Sequence, residues 1–272
     1  MSYSGRLLYS LSRIADVSVI DRRGTAVCDR YNLELLRRMR EEVKMKNLCI
    51  IPARGGSKRI PRKNVKDFLG KPIIAYSIEA ALKSGLFDEV MVSTDDPEIA
   101  TIAKQYGASV PFMRSAETAN DFATTADVLN EVLSEYKKRG QVFDNMCCIY
   151  ATAPLIVSQD IVDAQNRLKQ GDFSCVYPVV QFSYPIWRCL DVAEDGSMKR
   201  HWPEYENSRS QDLPKEYHDT GTFYWYKLQQ GVLTSGKMGA IIVSEERVQD
   251  IDTETDWKLA EMKYQLLNAS EA

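Results

Sequence analysis

Between Arg54 and Lys71 the chain reads RGGSKRIPRKNVKDFLGK, with seven basic side chains (Arg54, Lys58, Arg59, Arg62, Lys63, Lys66, Lys71) and one acid, Asp67. The run follows a short apolar segment, NLCII, and holds Gly55-Gly56-Ser57 near its start. In an open α/β sheet, ligands sit at the carboxyl ends of the strands. Glycines there let backbone N–H groups approach phosphate oxygens, while Arg and Lys balance the charge. A polyphosphate suits this combination. The plainer reading is a solvated basic surface loop, but glycines, position and sign coincide here. The segment matches neither of the two best-known phosphate loops: Gly70-Lys71 is followed by Pro72 where G-x-x-x-x-G-K-S/T needs a hydroxyl, and no G-x-G-x-x-G follows a strand.

A second candidate is Asp250-Ile251-Asp252, just after the apolar run GAIIVS. On an extended chain, Asp-x-Asp places both carboxylates on one side, spaced to share a hard, oxygen-seeking cation such as Mg²⁺. The same acids would be unremarkable as a helix cap ahead of TETDWKLAEM.

The elements that must position these groups follow an alternating pattern. NLCII (47–51), EVMVS (89–93), NMCCIY (145–150), FSCVYPVV (173–180), TFYWY (222–226) and GAIIV (239–243) read as buried strands. PIIAYSIEAALKSG (72–85) puts Ile74, Ile78, Ala81 and Leu82 on one helical face and stops at Gly85. DPEIATIAKQYG (96–107) has an Asp cap, Pro97 in its first turn and a closing Gly107, and further helices fit 124–139, 158–170 and 253–267. Strands alternating with such helices imply a mostly parallel α/β sheet covered on both faces. The aromatics Tyr224, Trp225 and Tyr226 occupy a strand and so suit a core or interface. Residues 185–217 break the alternation and read as an excursion, either a small hairpin subdomain or a surface loop.

Composition bounds the rest. A chain of 272 residues, 44% apolar and 27% charged, can build one large domain or a domain with an appendage. Residues 1–44 carry nine basic and six acidic side chains (+3), and residues 45–272 carry 26 and 32 (−6). An acidic body disfavours a general nucleic-acid binder. The longest nearly uncharged apolar stretch, Met146 to Val157, is too short for a bilayer that needs about 20 residues. The start lacks the features of a secretory signal. Six cysteines without C-x-x-C spacing (Cys28, Cys49, Cys147, Cys148, Cys175, Cys189) read as buried free thiols of a cytoplasmic protein, with no zinc site. Within 1–44, RYNLELLRRMREEVK (30–44) has the spacing of an amphipathic helix, while 1–29 gives weak signals. Met45 stands two residues before the first strand, so 1–44 is read as a mis-called start or a dispensable arm ahead of a 45–272 catalytic domain.

The segment IPARGGSKRIPRKN resembles the signature of the cytidylyltransferases that activate eight- and nine-carbon keto-sugar acids as CMP conjugates, namely the sialic, pseudaminic, legionaminic and Kdo synthetases. The resemblance continues in order through FDEVMVSTDDPEIA (87–100), MRSAETANDFATTADV (113–128), ATAPL (151–155) and VQDIDTETDW (248–257), covering essentially 46–270. It implies an α/β, Rossmann-like fold: a mostly parallel mixed sheet with helices on both faces and a small dimerisation excursion at 185–217. It implies transfer of CMP from CTP to the anomeric hydroxyl of the sugar acid, with pyrophosphate leaving, Mg²⁺ as cofactor, and a homodimer free of membrane and nucleic acid. By the same resemblance Arg54, Lys58 and Lys63 hold the triphosphate, with Gly55, Gly56, Ser57 and Asn64 beside them. Asp250 and Asp252 match the metal pair, and Arg114 and Thr125 match positions that read the cytosine.

Sugar recognition is the least marked. Tyr150 stands where the sialic acid branch has Gln, Ile156 where it has Arg, and Thr220 where it has Asn. These departures argue against sialic acid itself. QDLPKEYHDTGTFYW (211–225) is more similar to the pseudaminic acid branch, whose product supplies flagellin or surface-glycan modification. Tyr150, Gln211, His218 and Asp219 are the sugar candidates, although His218 also suits a structural or surface role. The alternatives are a CMP synthetase for legionaminic acid, sialic acid or Kdo, and, from another class, a non-catalytic nucleotide- or RNA-binding module using the basic loop.

Overall fold

A computed structural model describes residues 45–269. The chain divides into units between Met45 and Lys46. The 1–44 extension, its 30–44 helix and Cys28 lie outside the described residues. In chain order the first half holds β1 (Asn47–Pro52), β2 (Asp67–Phe68), β3 (Lys71–Pro72), α1 (Ile73–Ser84), β4 (Glu89–Ser93), α2 (Pro97–Gln105), α3 (Ala116–Ala119), α4 (Thr125–Lys138) and β5 (Asn145–Ile149). The second half holds α5 (Ser158–Gln170), β6 (Cys175–Gln181), β7 (Leu190–Val192), β8 (Met198–Arg200), β9 (Tyr217–Asp219), β10 (Phe223–Gln229), β11 (Val232–Leu233), β12 (Met238–Ile242) and α6 (Glu254–Ala269).

The main sheet runs in the order β12-β6-β10-β5-β1-β4, with β9 also paired to β6 and β11 to β10. Pairing is parallel between β4, β1 and β5 and between β6 and β12, while β10 is antiparallel to both of its neighbours. Five of these six strands therefore point one way. Alternation along β1 and β5 assigns the two faces. Leu48, Ile50, Met146 and Cys148 pack on Leu129, Val132, Leu133 and Tyr136 of α4. Cys49, Ile51, Cys147 and Ile149 pack on Ile74 and Ile78 of α1, Ile99 and Ala103 of α2, and Ile161, Ala164 and Leu168 of α5. This is the mostly parallel sheet with helices on both faces that the alternation implied, and β10 makes it mixed as the resemblance implied.

Helix ends follow their local chemistry. Asp96 caps α2 by accepting from the N–H groups of Glu98 and Ile99, and Thr124 and Asp127 form a reciprocal capping box on α4. Helix α1 stops at Gly85, whose φ of 65° is left-handed. Leu82, expected on the buried face of α1, is instead largely exposed at the rim, against Gly107. Cys49, Cys147, Cys148 and Cys175 are buried free thiols, whereas Cys189 is exposed because it lies in the excursion. Burial pushes the Cys148 and Cys175 thiols up to about 12.

The excursion is a hairpin subdomain: β7 and β8 pair antiparallel, with Trp187 packed on Trp202 and Tyr205 beneath them. It leaves after β6 and returns as β9, which pairs antiparallel with the far end of β6. The last helix, α6, docks by an aromatic cluster. Phe68 meets Tyr76, Trp257 and Tyr264 edge to face at 5.3, 5.5 and 5.9 Å, and Ile60 and Ile251 are buried in the same cluster. Removing the ring at its centre, Phe68→Ala, is expected to lower unfolding free energy by about 3–5 kcal/mol in a denaturant titration. A loss below about 1 kcal/mol would show that α6 is held some other way.

Candidate active site

The basic loop folds back over the carboxyl ends of β1 and β4 and lines a cavity of about 350 Å³ with Arg54, Ser57, Lys58, Arg59, Lys63 and Asn64. Two adjacent acids following β4 shape the loop. Asp95 Oδ1 accepts the Gly55 N–H at 3.0 Å. Asp96, besides capping α2, accepts from Arg62, which sits in the left-handed region at φ 54° and also pairs with Glu98. A Cβ on Gly55 would lie 2.8 Å from Asp96 Oδ2, so any side chain there would have to push Asp96 from its place on the cap of α2. This corrects the reason expected for Gly55. Its N–H is held by Asp95 rather than offered to phosphate, and the Ser57 N–H is likewise taken, by the Gly55 carbonyl at 3.0 Å. Gly56 has open space around it.

The basic side chains of the loop are poised around the cavity. Arg54 Nη1 is 2.8 Å from Asp121 Oδ1, Lys58 also pairs with Asp121, and Arg59 pairs with Asp252. Lys63 donates to the Ile251 carbonyl at 2.6 Å and lies 3.7 Å from Asp252. Four cations thus face two carboxylates, and the surplus is positive. The hydrogen bond from Lys58, with help from Arg54, holds the Asp121 carboxyl below the usual carboxylate range. Asn64 is buried and donates to the Arg54 carbonyl at 2.9 Å, so it fixes the backbone beneath Arg54.

Deeper in the same cavity lie Arg114, Thr125 and Tyr150. Arg114 is buried rather than exposed, donating from Nε to Ser93 Oγ at 3.1 Å and from Nη2 to the Ser93 carbonyl at 2.6 Å. Burial pulls its pKa down, yet a guanidinium stays charged at neutral pH and keeps further donors for a ligand. Thr125 opens α4, and its Oγ1 is 3.3 Å from the Tyr150 hydroxyl. Tyr150, expected among the sugar residues, therefore lines the cavity of Arg114 and Thr125. Its ring meets that of Tyr224 edge to face at 5.7 Å.

A second cavity, of about 570 Å³, is lined by His218, Asp219, Gly221, Glu245, Asp250 and Lys263 among others. Asp219 accepts from the Gly221 N–H at 2.8 Å and from the Tyr224 hydroxyl at 2.6 Å. The exposed His218 points Nδ1 at the Asp219 carbonyl, 2.9 Å away, with its ring 4.8 Å from that of Phe182. Gln211 does not join them. It lies in a turn of the excursion, several residues before β9, and lines a separate cavity with Phe182 and Leu213.

Ile251, buried in the aromatic cluster, leaves its two neighbours facing outward. Asp250 lines the second cavity, and Asp252 meets Arg59 and Lys63 of the first. The Asp-x-Asp pair thus straddles the two spaces. Asp95 and Asp121 are residues that sequence reasoning passed over, while Arg59 was read only as one of the seven loop cations and Asp96 only as a helix cap. The acids of VSTDDPE were visible only as a helix cap, and Asp121 only as part of the longer stretch MRSAETANDFATTADV.

Residues 48–231 match the cytidylyltransferase family. The chain belongs to that family. Over 230 residues it is 41% identical to the pseudaminic acid cytidylyltransferase of Campylobacter jejuni, spanning 83% of this chain and 99% of that protein. It is 32% identical over 233 residues to the CMP-N,N'-diacetyllegionaminic acid synthase of Legionella pneumophila, 82% of this chain and 97% of that protein. Among solved structures, a CMP:2-keto-3-deoxy-manno-octonic acid synthetase complexed with CTP is similar with a TM-score of 0.60, at 21% identity over 84% of this chain and all of that one. The last likeness supports the α/β fold. Family membership makes the protein an enzyme that transfers a cytidylyl group from CTP, and sets aside a non-catalytic binding module. Among the described residues no helix is long and apolar enough to cross a membrane.

The double role of Asp96 gives a test within this family. Asp96→Ala is expected to cost about 1 kcal/mol of stability through the lost helix cap. It should also raise KM for CTP severalfold, because Arg62 and the loop lose their anchor. Steady-state kinetics with an unchanged KM would show that the loop holds its shape without it.

Proposed function

We propose that the enzyme transfers CMP from CTP to the anomeric hydroxyl of a nine-carbon keto-sugar acid, releasing pyrophosphate, with pseudaminic acid as its sugar. The carrying observation is the contact of Lys63 with the Ile251 carbonyl, which sets the basic cavity and the Asp250/Asp252 pair side by side. The 350 Å³ cavity is assigned to CTP. Arg54 suits a forked contact to phosphate oxygens, and Lys58 and Lys63 supply point charges whose value rises as negative charge builds on the departing pyrophosphate. Arg114, Thr125 and Tyr150, at the deep end, are assigned to the base. The second cavity is assigned to the sugar, with His218 and Asp219 in its wall. Holding the two reactants in line across the Asp250/Asp252 ridge supplies most of the rate enhancement by positioning and electrostatics.

The acidic pair fits Mg²⁺. That ion is bound through one or two carboxylates together with substrate phosphates and waters rather than by an all-protein cage, and among the described residues no group of three or more metal-ligating side chains converges. Two outward carboxylates flanking a buried Ile251 are such a donor set. When bound, the ion neutralises triphosphate charge and lowers the pKa of a coordinated hydroxyl. The homodimer is part of the same reading, supported by Leu190, Val192 and Met198 exposed together on the excursion hairpin. A cytoplasmic setting is supported by the buried free thiols. The product would feed flagellin or surface-glycan modification.

The sugar assignment leans on the Campylobacter relative's name; the Legionella relative favours legionaminic acid as the second reading. Pseudaminic, legionaminic, sialic and Kdo acids offered in turn with CTP and Mg²⁺, with pyrophosphate release followed, should give the highest kcat/KM for pseudaminic acid. Equal or better use of another acid would reassign the branch. Asp252→Ala is expected to abolish nearly all turnover while the circular dichroism spectrum and melting stay near wild type, since a partly exposed carboxylate contributes little to stability. Retained turnover would remove the acidic pair from the mechanism.

A further inference from the structure

A keto-sugar acid is an anion, and the cavity assigned to it has an unfavourable wall. Besides Asp250, assigned above to the metal, Asp219 and Glu245 line it. A carboxylate placed beside Asp219 and Glu245 gains from a compensating cation of its own, because repulsion and desolvation otherwise oppose it. The cations of the triphosphate loop line the other cavity. Among the described residues lining this one, Lys263 is the only lysine or arginine. His218 already directs Nδ1 at the Asp219 carbonyl.

The position of Lys263 is fixed. From the third turn of α6, its Nζ donates to the Val248 carbonyl at 2.6 Å and to the Glu245 carbonyl at 3.2 Å. Both acceptor residues belong to the cavity wall. An ammonium has three donors and no acceptor, so two carbonyls leave one N–H for a ligand. Carbonyl oxygens orient the group without cancelling its charge as a paired carboxylate would, and no ion pair among the described residues includes Lys263. The loop of Glu245 to Asp250 and helix α6 thus present an oriented positive charge, uncancelled by any ion pair among the described residues, to a space whose other charged lining residues are Asp219, Glu245 and Asp250.

We propose that Lys263 receives the carboxylate of the sugar acid and is the residue that makes the site select an acid over a neutral ketose. The proposal rests on the keto-sugar-acid reading above. It is tested with the full chain, CTP, and two acceptors: pseudaminic acid and its methyl ester, which keeps the anomeric hydroxyl and loses the charge. Wild type should prefer the acid. Lys263→Met should raise KM for the acid about 10- to 100-fold, the scale of one charge-assisted hydrogen bond, leave KM for CTP unchanged, and bring the acid-to-ester ratio of kcat/KM towards one. Lys263→Arg should restore most of the preference. If Lys263→Met keeps the wild-type acid-to-ester ratio, or loses activity towards acid and ester alike, Lys263 only ties α6 to the Glu245–Arg247 turn and the proposal is overturned. If wild type turns over none of the keto-sugar acids, the substrate reading itself fails and this proposal falls with it.

Discussion

The candidate active site depends on one long-range tether. Lys63, in the loop after the first strand, donates to the carbonyl of Ile251, 188 residues later, while the Ile251 side chain is buried with Ile60 and Phe68 from the same loop region. A hydrogen bond and an apolar contact on one residue fix both the depth and the rotation of the Asp250-Ile251-Asp252 segment. Without the burial of Ile251 its neighbours would have no reason to face outward together. The aromatic packing of Trp257 and Tyr264 on Phe68 and Tyr76 makes that position part of the core. Reacting groups from opposite ends of the domain are thereby set on one rigid unit, which is what catalysis by positioning requires.

Electrostatics then acts within that frame. The domain is acidic as a whole, and its basic side chains gather where two strands end. Every cation of the cradle is met by an acid or a carbonyl: Arg54 and Lys58 by Asp121, Arg59 by Asp252, Lys63 by Ile251. These contacts hold long side chains in place at exposed positions, where an ion pair is worth little in stability. Triphosphate oxygens carry more charge than one carboxylate and can take over these partners with modest loss. Exposed pairs that exchange easily are therefore better suited to this loop than buried ones.

Much of this was legible in the chain itself. The strands and helices announced themselves by period and caps, as with Asp96, Pro97 and Thr124, because such signals are local. The basic loop was legible because seven like charges in an acidic domain need an explanation. The direction of β10 was not: FYWYKLQ has the same apolar character whether a strand runs up or down, and its orientation follows from the hairpin excursion that precedes it. Gly55 was read for the right reason in kind, close approach, but towards Asp96 rather than phosphate. Gln211 and Tyr150 were placed by neighbouring motif residues, yet neither location could be reached from spacing: one turn of the excursion carries Gln211 away, and the ladder to Thr222 sets Tyr150 in the cavity of Arg114 and Thr125.

The reversal of β10 explains why the second cavity exists where it does. In a wholly parallel sheet, residues reach the ligand edge only from the loops after strands. Here the start of β10 lies at that same edge, between the carboxyl ends of β5 and β6, so His218, Asp219 and Gly221 arrive ahead of a strand. β12, parallel to β6, then delivers Asp250 from the far side. Tyr224, one residue into β10, bonds Asp219 on one side and packs on Tyr150 on the other, so the partition between the cavities is built from the reversed strand itself. The cavity beside the basic loop uses the parallel half of the sheet, an arrangement common to many phosphate-binding folds. The second cavity is made by the antiparallel insertion, so its wall depends on the path of the excursion in a way that the basic loop after β1 does not.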